Sequence, residues 1–265
     1  MDLTWLHDQA LVQRGAYFLG FFAVGLWEVA APLQEAPVGR LRRWTANGGL
    51  YMTTVFTAML MGRLGVVATA ETAANRGWGL SGIGWLPNWG AFVLWALAAD
   101  LFSYFAHRLM HHIPVLWRAH KVHHSDAGFD MTTQFRFHPF EAVITLGSQA
   151  ALAWILAPPA LAVLLFEAIR TASGFFAHAN ASISPAWERR IGAVLITPDL
   201  HRVHHSVETT DHDTNFGVFF SFWDRWAGTY RARSGATETG LAEISPQDSA
   251  RPLQLLLMPF ARRPK

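Results

Sequence analysis

The sequence predicts an all-α protein, an integral membrane helical bundle of about four to five spanning or re-entrant helices, with a cytoplasmic helical lobe that carries the histidine motifs. Three observations lead there. Of 265 residues, 51% are hydrophobic and only 15% charged, against about 25% charged in a typical soluble domain. Five apolar stretches recur, at residues 15–33, 50–70, 83–105, 140–157 and 159–178, each close to the ~20 residues that a spanning helix requires. Histidine-rich words then sit at or beyond the ends of these stretches, with 12 Trp and 19 Phe available to anchor helices at the headgroup level.

Taken in order, none of the stretches is a clean lipid-facing span. Glu28 interrupts the first, Arg63 the second, and Glu167 and Arg170 the fifth. Ionisable groups inside spans turn toward the bundle interior, and Glu167 and Arg170, three residues apart, are expected to pair. Pro158-Pro159 reads as the turn of a helical hairpin, because proline cannot continue a helix and restricts the residue before it. The segment VGRLRRWTANGG after the first stretch carries Arg40, Arg42 and Arg43 without an acid, which reads as a cytoplasmic loop. Counting crossings from there returns His107, His178 and the block 201–205 to that same face. The start, MDLTWLHDQA, lacks the basic region of a cleaved signal and reads as a mature terminus. Three parts follow: N-terminal membrane helices over 1–90, a histidine-bearing catalytic core over 91–231, and a polar surface tail over 232–265.

Composition also excludes. The basic residues are almost all Arg, spread over short loops rather than gathered on one stacking face, so nucleic acid is not a partner. With no Cys, thiolate nucleophiles, disulfides and Cys-ligated metal are ruled out. Any metal must be held by nitrogen and oxygen. Neither GxGxxG nor GxxxxGK[ST] occurs, so redox chemistry would draw electrons from outside the chain.

The histidines carry the chemistry. HRLMHH places His107 and His111 four apart, about 40° from each other around a helix of 3.6 residues per turn. HKVHH sets His120, His123 and His124 at offsets of zero, three and four, and HRVHH repeats the pattern at His201, His204 and His205. His178 ends the fifth stretch in FFAHAN. Imidazole is a good ligand for borderline metals, and helical spacing aims several rings at once. Nine rings are too many for one ion, since structural zinc uses four ligands and catalytic zinc three. The count implies a two-metal site.

An HxxxH followed by HxxHH and, about eighty residues on, a second HxxHH resembles the fatty acid hydroxylase / sterol desaturase superfamily of membrane di-iron oxygenases. PVLWRAHKVHHS, RFHPFE, HANAS and NFGVFFSFWDRWAGTY extend the likeness over about residues 95–231. The resemblance implies two iron ions held by His107, His111, His120, His123, His124, His178, His201, His204 and His205. It further implies O2 as co-substrate, a lipid, acyl-chain or sterol-like substrate hydroxylated or desaturated in the bilayer, and an external ferredoxin or cytochrome b5-like electron donor. The fatty acid 2-hydroxylase branch has a further histidine four before the equivalent of His178, where this chain has Gly174; that ligand is expected to be either missing or replaced, by water or by His112. The alkylglycerol monooxygenase branch has a glutamate where this chain has His112.

A ligating imidazole donates its other N–H to a carboxylate or carbonyl. Candidates for this, or for further ligation, are His112, His138, His212, Glu141, Asp199 and Asn215, together with Asp100, Glu167, Asp211 and Asp213. Phe102, Phe105, Phe175 and Phe176 are candidates to line a lipid tunnel. Two rival readings are a divalent-metal transporter, which would place its ligands near the membrane midplane, and a zinc hydrolase, which would need a catalytic Glu as in HExxH, absent here.

Overall fold

The computed structural model describes residues 4–62, 65–232 and 237–261, with backbone only at 4–10, 12, 13 and 16. His7 falls among the backbone-only positions, and Arg63 lies outside the described residues. The described chain is helical, with two isolated bridges, Leu195 to Phe220 and Ser206 to Thr239, as its only β pairing. The long helices are α1 (Thr4–Ala30), α2 (Arg40–Met61), α4 (Asn88–His112), α6 (Pro139–Leu156) and α7 (Ala160–Ala177). Shorter ones are α3 (Val66–Ala74), α5 (Pro114–His124), α8 (Pro185–Ile191), α9 (Pro198–His204), α10 (Thr209–His212), α11 (Phe222–Ala227) and α12 (Pro252–Leu257).

Four stretches are long and apolar enough to cross a membrane: α4, α6, α7 and the segment Arg40–Gly82 that holds α2 and α3. In α1 the apolar part, Tyr17–Ala30, is shorter. The stretch at 50–70, expected as one span, is divided. α2 ends at Gly62, whose φ of 47° is left-handed backbone that favours glycine, and α3 begins after Gly65. The hairpin turn is present: Ala157 takes a left-handed conformation and Pro158-Pro159 separates α6 from α7.

The bundle core is lined by small side chains that let helices approach closely. Ala70 of α3, Trp95 and Ala99 of α4, Ala153 of α6 and Val163 and Phe166 of α7 form one buried cluster. Glu28, the charge in the first stretch, is buried and accepts hydrogen bonds from the backbone N–H of Met131 (2.8 Å) and Asn180 (2.7 Å). An acid near the end of α1 thus ties two loops of the histidine lobe to the bundle. Glu167 and Arg170 pair at 2.6 Å, as their spacing suggested.

Two readings from composition are corrected. Arg40, Arg42 and Arg43 are not loop residues but the first turn of α2, and Arg43 is buried rather than solvated. Its guanidinium bonds Asp126 at 2.8 and 2.9 Å and Asp130 at 2.7 Å, so carboxylates 83 and 87 residues away supply the counter-charge. The C-terminal segment, expected as a surface tail, packs back over residues 237–261. Leu255 and Met258 join Ala46, Leu50 and Val122 in a buried cluster, and the Ser249 carbonyl accepts from buried Arg136 at 2.5 Å. Ile244 and Leu256 pack against the same cluster, so the apolar run after the polar stretch at 232–250 anchors the segment.

Candidate metal centre

The nine histidines meet in one place and divide into two groups. His107, His111, His120, His124 and His204 form the first, and His123, His178, His201 and His205 the second; within each group one donor atom per residue lies within 4.8 Å of the others. The division follows from helix geometry. On α5 the side chains at zero and four point nearly the same way while that at three is turned from them, so His120 and His124 enter the first group and His123 the second. The word that spans α9 and its C-cap splits the other way, with His204 in the first group and His201 and His205 in the second. Each HxxHH therefore serves both groups.

For five of the rings the surrounding structure fixes which nitrogen faces inward. Nδ1 of His107 donates to the Phe216 carbonyl (2.8 Å), that of His204 to the Thr214 carbonyl (2.7 Å) and that of His178 to the Gly174 carbonyl (2.8 Å). Nδ1 of His120 donates to the Glu141 carboxylate at 2.6 Å, and Nδ1 of His111 lies 3.3 Å from Asp213. With the proton on Nδ1, Nε2 presents a lone pair. These lone pairs are turned on one another: Nε2 of His107 is 3.1 Å from that of His120 and 3.0 Å from that of His204. In the second group, Nε2 of His178 is 3.0 Å from that of His201 and 3.3 Å from that of His123. Facing lone pairs repel unless a cation lies among them.

Burial disfavours protonation of most of these rings. Burial holds His123, His124, His201, His204 and His205 well below the ordinary histidine range, with neighbouring imidazoles adding to the effect. Burial likewise lowers His178, to about 4. Buried His205 has no hydrogen-bond partner on either ring nitrogen among the described residues. Nitrogen donors about 2.1 Å from a shared ion lie roughly 3.0–3.4 Å from each other for octahedral to tetrahedral arrangements, the range in which the observed edges fall. The donor set fits a metal ion, and the nitrogen-only composition suits a borderline or transition metal.

The segment NFGVFFSFWDRW builds the support. Asn215 sits at φ 51°, a conformation asparagine tolerates, and its side chain bonds the Leu200 and Arg231 backbone. This turn lies between the two carbonyls, of Thr214 and Phe216, that orient His204 and His107. Asp224 accepts from Phe216 and Gly217 N–H groups, and Asp100 accepts from Phe219, Phe220 and the Trp223 indole. Asp100 thus holds the loop and touches no histidine.

The remaining candidates separate. Glu141 and Asp213 contact ligand-type histidines, and His212 places Nε2 3.1 Å from Nδ1 of His124. His112 is exposed, joins neither group and bonds the Arg108 carbonyl. His138 caps α6, accepting from the Phe140 N–H and donating to the Leu256 carbonyl. Asp199 pairs with Arg202 at 2.8 Å, and Asp211 with Arg231 at 2.9 Å. A Cβ at Gly174 would meet the Gln134 amide at 2.4 Å, so the Gln134 side chain occupies the space where a further imidazole would begin, and His112 does not take its place.

Sequence reasoning missed the buried ionic cluster beside His123 and His124. Burial alone would raise Asp126, but the guanidinium groups of Arg43 and Arg136 hold it well below the usual carboxylate range. The acids stand in plain view in HSDAGFD, but their partners do not. A cleft of about 540 Å3 also went unforeseen. It lies between α1, α2 and α7, bordered by Tyr17, Phe18, Tyr51, Gln134 and Phe137. Phe137 stacks on His123 at 4.9 Å with planes 8° apart. Of the expected tunnel residues none borders it: Phe175 packs with Tyr17 and Phe135, Phe176 stacks on Trp27, and Phe105 meets Trp226.

A membrane helix bundle that gathers nine imidazoles into two facing groups defines a membrane protein with a histidine-built metal site. The Fatty acid hydroxylase family model matches residues 92–229, just over half of the chain, and the chain belongs to that family. It is 29% identical over 184 residues to the ornithine lipid hydroxylase OlsE of Rhizobium tropici, covering 68% of this chain and 54% of that protein. It is 27% identical over 148 residues to the alkylglycerol monooxygenase of Homo sapiens, covering 55% of this chain and 32% of that one. It is 26% identical over 140 residues to the beta-carotene hydroxylase of a Paracoccus species, covering 51% of this chain and 85% of that protein. The chain spans about a third to a half of the length of the first two. No solved structure matches it.

Proposed function

We propose that this protein is an O2-dependent lipid hydroxylase with one iron ion in each histidine group and electrons supplied by a separate redox protein. The observation that carries the reading is the set of facing Nε2 lone pairs of His107, His120 and His204, which a bound cation would relieve. In this reading His107, His111, His120, His124 and His204 hold one iron, and His123, His178, His201 and His205 the other. The pair, once reduced, would supply the power to activate O2 and oxidise an unactivated C–H bond.

The chain's own groups do the rest. The Phe216, Thr214 and Gly174 carbonyls and Glu141 accept from Nδ1, which turns the Nε2 donors inward. The lobe excludes bulk water: eight of the nine rings are buried. The cleft that ends at Phe137 gives an acyl chain a path from the bilayer to the second group, and the likeness to hydroxylases and a monooxygenase favours hydroxylation. The histidines lie at helix ends rather than at mid-span, which argues against transport. Exposed Arg40 and Arg42 on the same side support a cytoplasmic location for the lobe.

The test is to load the protein anaerobically with Fe(II), add a reducing system, heavy-isotope O2 and host lipids, and analyse the lipids by mass spectrometry. One labelled oxygen atom in a lipid, absent with His204→Ala, is the expected result. An unchanged lipid profile with the loaded wild-type protein would overturn the reading.

A further inference from the structure

A second, larger groove lies on the lobe, away from the cleft, and nothing in the reading above uses it. It measures about 1230 Å3 and runs between α5 and the C-terminal segment. α5 contributes Pro114, Trp117, Arg118 and Lys121, spaced at helical intervals along one face. Opposite stand Glu243, Asp248 and Arg251 at one part and Leu253, Leu257 and Met258 at another. The groove therefore grades from charged to apolar.

Its apolar edge lies where a span begins. Leu253, Leu257 and Phe260 are 69%, 54% and 59% exposed. Phe260 packs against Phe140, one residue into α6, at 5.6 Å, and the Leu256 carbonyl accepts from His138, the cap of α6. An exposed apolar edge beside the end of a membrane helix sits at the level of the lipid headgroups. The charged part carries three cations against two acids. Asp248 is engaged by Arg251 at 3.2 Å, whereas Arg118 makes one hydrogen bond, to the Ala261 carbonyl at 3.3 Å, and has no carboxylate partner among the described residues. A guanidinium with donors to spare is suited to phosphate or carboxylate. The groove also ends on Trp117, whose ring lies 5.0 Å from His111 and 5.5 Å from His124, so it adjoins the first histidine group.

We propose that the groove between α5 and α12 binds the headgroup of an anionic bilayer lipid, with Arg118 taking the anionic group and Leu253 and Leu257 lying along the first part of its chains. This site does not depend on the oxidation proposed above, and lipid binding is measured separately from turnover.

The test uses the metal-loaded full chain in detergent, titrated with short-chain phosphatidylglycerol, short-chain phosphatidylcholine and inorganic phosphate. Bound lipid is counted by native mass spectrometry, and protection of segments 114–121 and 243–258 is followed by hydrogen exchange. Phosphatidylglycerol should bind and protect both segments, and Arg118→Gln should weaken it about tenfold, as loss of one charge-assisted contact would. Arg118 is exposed, and unchanged metal content would show the variant to be folded. Three results would each overturn the proposal: equal binding of phosphatidylcholine, indifference to Arg118→Gln, or equal protection by phosphate alone. Labelled-oxygen transfer that persists when binding is lost leaves the hydroxylase reading intact.

Discussion

His124 and His205 stack with ring centroids 4.3 Å apart and planes 13° from parallel, yet they belong to different histidine groups. One comes from each HxxHH word, and their contact joins the two groups across the lobe. The repeated word is thus a reciprocal device: each copy gives two rings to one group and one to the other. Removing a single ring should therefore empty one group and spare its neighbour. His204→Ala is expected to cost the first group its metal and His201→Ala the second, each leaving about one ion per chain by elemental analysis.

The support of the two groups is unequal. All five rings of the first group have a partner on Nδ1, including His124 through His212, whereas among the described residues Nδ1 of His123, His201 and His205 has none. Outer partners of this kind are worth about 10–100-fold in metal affinity. A timed chelator challenge should thus strip the second group first. Glu141→Gln should weaken the first group about 10–100-fold, read as a lower chelator concentration at half-loss, with His212→Ala acting in the same direction.

The ionic cluster around Arg43 tests stability separately from metal. Removing one member of a buried, hydrogen-bonded ion pair costs about 3–5 kcal/mol. Arg43→Met would leave Asp126 with Arg136 as its nearby guanidinium and hydrogen bonds from Asn47, Thr133 and the Gly128 N–H, and Asp130 without its guanidinium. Asp126→Asn leaves Arg43 still paired with Asp130. Arg43→Met should therefore lower the thermal midpoint of the detergent-solubilised protein more than Asp126→Asn does.

Acid should act on the metal-free protein through its buried rings. His178 is lowered by burial to about 4 from an unfolded value of 6.5, so between these limits the unfolded chain binds the extra proton. Its contribution to stability is complete above about pH 6.5 and falls away as pH drops toward 4, with His123, His201 and His205 shifted in the same direction. The midpoint of chelator-treated protein should decline across that window. A midpoint that rises on acidification would contradict the neutral state of these rings.

Much of the site was legible because its chemistry is local. Spacings of three and four on a helix announce shared faces, and no other residue type competes with histidine for that reading. What escaped was of three kinds. The carbonyls of Thr214, Phe216 and Gly174 orient rings without leaving any mark in side-chain type. The Arg43 cluster joins positions more than eighty residues apart, and its three-arginine run imitates a solvated loop. The C-terminal segment docks through Leu255 and Met258 in the short apolar run PLQLLLMPF, which follows a polar stretch at 232–250 and is shorter than a span. The split between α2 and α3 rests on Gly62, whose left-handed backbone is invisible in a hydropathy trace.

Metal counting on three proteins bears most directly on the paired site. Wild-type protein, His204→Ala and His201→Ala, each loaded anaerobically with Fe(II) and freed of loose metal, should hold about two, one and one iron ions per chain. A wild-type value that stays at one, or a single variant that loses both ions, would contradict two histidine groups that each hold their own metal.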